Sequence, residues 1–179
     1  MVQGELFKPW TPFKHQQFGD IEIGGWVKMS SRLPHPFMLN DLAYRNASAV
    51  LFAAGQTPDI SLEILTPGKA GADLYTIRVR LVNAASIPSL TYTAIQRKIH
   101  PQDTLKLSGT TVKVVAGGPV SGSPIETVSY KAHRPELQFL QVPGNGKVEF
   151  QFLVSGKGEL TVAYQSQKAG KASKTVVLQ

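Results

Sequence analysis

From Asp59 onward the chain alternates apolar and polar residues with a period of two, and this pattern commits it to antiparallel sheet more firmly than any other feature. Ile60, Leu62 and Ile64 alternate with Ser61 and Glu63, and Tyr75, Ile77, Val79 and Leu81 alternate with Thr76, Arg78 and Arg80. The alternation returns at Val148, Phe150, Phe152 and Val154, and again at Leu160, Val162 and Tyr164. Successive side chains of a strand point to opposite faces, so each run offers one face to a core and one to water. Turn formers separate the runs at Pro67-Gly68, Gly117-Gly118, Gly144-Asn145-Gly146 and Gly156-Lys157-Gly158. The last reads as the tip of a hairpin between strands at 147–155 and 159–165. With 16 glycines and 12 prolines, the chain has turn formers for many short strands. The expected fold is mainly β, an antiparallel β-sandwich of immunoglobulin or fibronectin type over residues 57–179, with a small barrel as the alternative.

Two segments precede this region. Residues 39–56 read as an amphipathic α-helix packing on the sandwich, because Leu39, Leu42, Ala43, Ala47, Val50, Leu51 and Ala54 recur at steps of three and four. Asn40 is the expected N-cap, Asp41 sits at the positive end of the dipole, and Gly55 and Pro58 end the helix. Residues 1–38 read as an extended arm in which Trp10, Phe13, Phe18 and Trp26 stand among Pro9, Pro12, Gly19, Gly24 and Gly25. Only Asp20-Ile21-Glu22-Ile23 alternates, as one strand would. A segment so broken cannot build its own core, so its aromatics require another surface to cover them.

Composition removes several function classes. The absence of cysteine excludes disulfides, thiolate metal sites and a cysteine nucleophile. The net charge of +7 is dispersed, with no run of like charge and no aromatic–basic interleaving, so nucleic acid is not an expected partner. No apolar run approaches the roughly 20 residues of a membrane span, so no membrane insertion is expected. Met1 to Lys14 hold no basic region followed by an apolar stretch, so no signal peptide is expected there.

The candidate chemistry is thin. His133-Arg134-Pro135-Glu136 places two zinc-type ligands three residues apart, but a working site needs a third ligand and an open position. His133 is the last histidine after His15, His35 and His100, so a surface loop is expected there. His100 precedes Pro101, and His35 lies between Pro34 and Pro36, neither with a recognisable partner. Ser121-Gly122-Ser123 lacks the strand-to-helix elbow of a serine nucleophile. Gly117-Gly118 and Gly144/Gly146 precede strands rather than helices, which excludes a phosphate cradle. Asp20 and Glu22 share the wet face of their strand. No catalytic, cofactor-binding or metal-binding residue is assigned.

Pro9-Trp10-Thr11-Pro12-Phe13-Lys14-His15, followed by Gly19-Asp20-Ile21-Glu22-Ile23-Gly24-Gly25-Trp26, resembles a segment found after the catalytic domain of bacterial zinc carboxypeptidases of the carboxypeptidase A superfamily. That segment reads tryptophan, phenylalanine, Lys-His-Pro-Gln-Leu-Gly, then an acidic-aliphatic strand ending in Gly-Gly-Trp; here Gln16 replaces the proline and Phe18 the leucine. The likeness continues, less specifically, through the helix, Thr57-Pro58 and a strand, Leu81-Val82-Asn83, Ile87-Pro88-Ser89 and a threonine-rich strand, and Lys168-Ala169-Gly170 before a terminal strand ending in Leu178. The family's zinc ligands and catalytic glutamate match no position here. The resemblance therefore implies a non-catalytic C-terminal accessory module of a metallopeptidase. Zinc would sit in an upstream catalytic domain, the partner in cis, and the parent would be periplasmic or extracellular. Trp10, Phe13, His15, Phe18 and Trp26 are the expected interdomain contact, through which the module stabilises the catalytic domain or helps present substrate. Weak pairing with a second copy through the arm is the other use for those aromatics. An independent module binding protein or glycan is the alternative function. It would need aromatics in the loops at 66–73 and 117–124, which contain none.

Overall fold

The computed structural model describes residues 6–27, 34–65, 67–131 and 133–179. They form two compact units, Met1–Phe52 and Ala53–Gln179.

In the first unit, β1 (Phe7–His15) and β2 (Gly19–Trp26) pair as an antiparallel hairpin. The segment expected to be an extended arm with one strand is thus a two-stranded sheet. Proline hides this in the sequence, yet every strand of a two-stranded sheet is an edge, where a missing N–H is tolerated. The register slips between Lys8 and Thr11, opposite Gly24 and Gly25. A Cβ on Gly24 would stand 2.6 Å from the Trp10 Cα, and Gly25 has φ of +96°. This glycine pair admits the bulge, which no other residue type could do at both positions.

Helix α1 (Pro36–Gly55) starts four residues earlier than the expected N-cap. Pro36 is suited to a first helical turn, where its missing N–H is needed by no bond. Asn40 lies inside the helix, with its neighbour Asp41 pairing with Arg45 at 2.8 Å instead of facing the dipole's positive end.

The second unit contains β3 (Ile60–Ile64), β4 (Gly68–Lys69), β5 (Leu74–Asn83), α2 (Tyr92–Gln96), β6 (Asp103–Ser108), β7 (Lys113–Ser121), β8 (Thr127–Val128), β9 (Leu137–Leu140), β10 (Gly146–Ser155), β11 (Gly158–Gln165) and β12 (Lys171–Leu178). One sheet runs β3-β5-β10-β7-β8, with β4 also on β5; the other runs β12-β11-β6-β9. The expected antiparallel sandwich is what forms. In its strand order, β3-β5-β10-β7 and β12-β11-β6 correspond to the A-B-E-D and G-F-C sheets of the immunoglobulin pattern, and β9 adds an edge.

Alternation delivers the core. Tyr75, Ile77 and Val79 stand opposite Val154, Phe152 and Phe150 in the β5–β10 ladder. All six are buried, and they pack with Leu105 and Leu107 of β6 and Leu160, Val162 and Tyr164 of β11.

Four expected features change. Gly156-Lys157-Gly158 is not a hairpin tip: β10 and β11 lie in different sheets, and the turn carries the chain across the sandwich. Both glycines have positive φ, and a Cβ on Gly156 would meet the Thr111 carbonyl and one on Gly158 the Thr111 hydroxyl, each at 2.4 Å; that hydroxyl donates to the Lys157 carbonyl. Gly117-Gly118 is not a turn but the middle of β7. A Cβ on Gly117 would meet the Phe152 ring at 2.5 Å, and one on Gly118 would meet the Ser129 carbonyl at 1.9 Å. The threonine-rich segment expected as a strand is α2, capped by the Thr91 hydroxyl, which accepts from the Ala94 N–H at 3.3 Å. At Pro67-Gly68 the chain is already in or entering β4, and the reversal comes later, where Ala70 and Gly71 donate to the Leu74 carbonyl.

The outer face of the first sheet is less inert than its exposure pattern suggests. The Glu149 side chain, only 12% exposed, meets Arg80 at 2.9 Å, Lys147 at 3.1 Å and Arg78 at 3.9 Å. Burial pushes its pKa up, but hydrogen bonds from Lys147 and Arg80 outweigh this and hold it below the ordinary 4.5. Its contribution is therefore present above the ordinary carboxylate value and is lost as pH falls through the lowered one. Phe150→Ala should cost about 3–5 kcal/mol in denaturant melts. Glu149→Ala, which removes a half-buried carboxylate shared by three cations and leaves Lys147 without an ion pair among the described residues while Arg78 keeps Glu126 and Arg80 keeps Glu63, should cost about 1–2 kcal/mol at neutral pH. Its difference from wild type should shrink below about pH 4.

Candidate functional site

The hairpin register sorts the arm's residues onto two faces. Thr11, Phe13 and His15 lie opposite Ile23, Ile21 and Gly19, while Pro12 and Lys14 lie opposite Glu22 and Asp20. One face is thus apolar and the other charged, with Asp20 and Glu22 on the wet side as expected. The hairpin's large aromatics are not covered. Trp10 is 60% exposed, Phe13 47%, Phe18 74% and Trp26 68%. Side chains of this kind each bury roughly 150–250 Å² when packed, so so much aromatic surface left in water is a large unrealised stabilisation.

His15 has a different role from the four aromatics it was grouped with. Its Nδ1 accepts the backbone N–H of Gln17 at 3.1 Å and of Phe18 at 3.3 Å. The imidazole therefore builds the turn between the strands, and its ring lies 4.9 Å from Phe18 and 6.5 Å from Phe13. At the other end, Phe7 meets Trp26 edge-on at 5.6 Å, a residue that sequence reasoning missed. Trp10 lies against Gly25, whose Cβ would come within 3.4 Å of its ring. The hairpin thus presents two aromatic groups, Phe13/His15/Phe18 at the turn and Phe7/Trp26 at the open end. Helix α1 adds to the surplus: Phe37, Tyr44, Leu51 and Phe52 are all exposed and the helix buries none of its residues.

The remaining candidates stay apart. His133 is exposed, and Glu136 meets Arg134 at 3.8 Å in the turn before β9. His35 stacks on Phe37 at 5.9 Å, and His100 lies between α2 and β6. Among the described residues no three His, Asp or Glu side chains gather as a metal site. Ser121 faces Thr127 at 3.3 Å, without a base.

One buried polar cluster had no signal beyond a polar residue on an apolar stripe. The Tyr164 hydroxyl donates to the Asp103 carboxylate at 2.8 Å, and both residues are fully buried. Burial, then the hydrogen bond and charge of Asp103, hold the Tyr164 pKa well above the ordinary 10.0; the hydroxyls of Ser166 and Ser89 oppose this. The other Asp103 oxygen has no hydrogen-bond partner among the described residues.

Because the folded pKa is raised, this tyrosine's contribution is intact below about pH 10 and is lost as pH climbs towards the folded value. Tyr164→Phe should cost about 1.5–3 kcal/mol at neutral pH, since it strands a buried carboxylate. Thermal melts at alkaline pH should show wild type losing that margin while the variant changes less.

Comparison with curated proteins finds no match. A family model described as "Domain of unknown function (DUF8731)" matches residues 59–177, from the residue before β3 to the last residue but one of β12. The chain belongs to the DUF8731 family, through its β-sandwich unit.

Proposed function

We propose that the chain is a non-catalytic accessory module of an exported zinc carboxypeptidase, held to the parent's catalytic domain by the β1–β2 hairpin. The observation that carries this is the coincidence of two independent properties in residues 9–26. They are the residues of the carboxypeptidase resemblance, and they form a hairpin whose Trp10, Phe13, Phe18 and Trp26 stand largely exposed. Aromatic residues at a docking surface are the usual anchors of protein–protein contacts, because they bury much area at little entropic cost. An apolar face that is left bare on a soluble chain marks a surface meant to be covered.

On this reading the hairpin is the fastening and the sandwich is the body it attaches. Zinc and the reacting groups belong to the partner domain, and this chain steadies that domain or helps present its substrate. His15 acts indirectly, by fixing the turn that presents Phe13 and Phe18.

The test is co-expression of the chain with the domain encoded immediately upstream. The wild-type chain should co-elute with a zinc-containing peptidase domain. The Trp10→Ser/Trp26→Ser double variant should weaken that association by at least about a hundredfold, as expected for two anchor residues. Its thermal melt should match that of wild type. An upstream sequence with no zinc peptidase, or association unchanged by the double substitution, would overturn the proposal.

A further inference from the structure

The sandwich unit contains a cavity of about 360 Å³ that includes no residue of the hairpin. It forms where the loop after β5, helix α2 and the turn leading to β6 meet Thr57, Pro58 and Lys168. Backbone bonds set its walls: Ile87 donates to the Gln56 carbonyl at 3.1 Å, Ser89 to Val142 at 2.9 Å, and Ile99 to Ala94 at 3.1 Å. Ile87, Pro88, Leu90, Ala94 and Ile99 make those walls apolar.

Its polar lining is hydroxyls, one imidazole and one ammonium. His100 and Lys168 line the cavity and no carboxylate does. Arg97 and Lys98 stand on the turn just before Ile99. None of Arg97, Lys98 and Lys168 takes part in an ion pair among the described residues. The nearest carboxylates along the chain are Asp59, which is exposed, and Asp103, which is buried on Tyr164. The lining hydroxyls of Ser89 and Thr91 are already engaged by the Val142 and Ala94 N–H groups. A ligand therefore meets apolar walls, the Lys168 ammonium and the His100 imidazole.

We infer that this cavity binds a small carboxylate with an apolar body, either the free C-terminus of a peptide ending in an aliphatic residue or a short fatty acid. The apolar walls take the body, and Lys168 with His100 takes the anion. The volume is near the lower end of ligand pockets, about 300–1,000 Å³, which suits one side chain and its carboxylate rather than a long chain. The inference does not depend on the hairpin's partner.

The experiment titrates the full chain with N-acetyl-leucine, N-acetyl-leucine amide, octanoate and octanol, following the methyl resonances of Ile87, Leu90 and Ile99. Saturable shifts at these methyls are expected with the acids. The amide and the alcohol should bind about tenfold more weakly, in line with loss of a charge-assisted bond. Lys168→Gln should weaken acid binding by a similar factor and leave the melting temperature unchanged, since Lys168 is exposed. Tighter binding of N-acetyl-leucine assigns a peptide terminus, and tighter binding of octanoate assigns a fatty acid. Equal binding of acid and neutral analogue, shifts confined to Ile21 and Ile23 of the hairpin, insensitivity to Lys168→Gln, or no saturable shift would each overturn the inference.

Discussion

The pairing of β5 with β10 is the constraint on which the sandwich rests. Their ladder runs unbroken from Gly146↔Asn83 to Ser155↔Leu74, and its inward row supplies Tyr75, Ile77, Val79, Phe150, Phe152 and Val154. A slip of one residue would turn this whole row outward and bring Arg78, Arg80 and Glu149 inside, so the register is fixed by burial on one face and by ion pairing on the other. Everything else is arranged around that ladder. β7 can lie beside β10 only because Gly117 leaves room for the Phe152 ring, and β11 reaches the opposite sheet only through the positive φ of Gly156 and Gly158.

How much of this was legible in the sequence depends on whether a residue type has one structural meaning or several. The strands at Ile60, Tyr75, Val148 and Leu160 were legible because strict alternation has a single explanation. The glycines were not, because Gly-Gly serves a turn and a close strand crossing equally well, and Gly-Lys-Gly serves a hairpin tip and an inter-sheet corner equally well. Only the neighbours decide: Phe152 and Ser129 in one case, Thr111 in the other. The same ambiguity hid β1, where Pro9 and Pro12 argue against a strand unless that strand is an edge. Helix α2 was hidden because threonine favours both a strand and an N-cap, and Thr91 is the cap. Tyr164 was legible as a strand residue and Asp103 was not, and their hydrogen bond, which joins β6 to β11, has no local signature.

The candidate site divides in the same way. Trp10, Phe13, Phe18 and Trp26 were legible as a group from composition alone, since four large aromatics among prolines and glycines need cover. His15 and Phe7 were not separable without geometry. His15 accepts two backbone N–H groups in the turn, and Phe7 gains its place only through its register with Trp26. The two units therefore contrast sharply. The sandwich buries many of its large apolar side chains in a closed core, although Tyr92, Ile99, Ile125, Tyr130 and Phe139 stay exposed, whereas no side chain of β1, β2 or α1 is fully buried. That contrast is the physical basis of the proposal that one unit is a stable body and the other a docking element.

Tryptophan makes this claim directly measurable, because both tryptophans of the chain, Trp10 and Trp26, are in the hairpin. Intrinsic fluorescence with acrylamide quenching, taken on the isolated chain at low concentration and again when it is joined to the proposed partner domain, reports the state of the hairpin alone. Red-shifted, readily quenched emission from the isolated chain, becoming blue-shifted and protected in the joined protein, is the predicted result. Blue-shifted, protected emission from the isolated monomer would contradict the account, since it would mean that the aromatic face is already covered by its own chain.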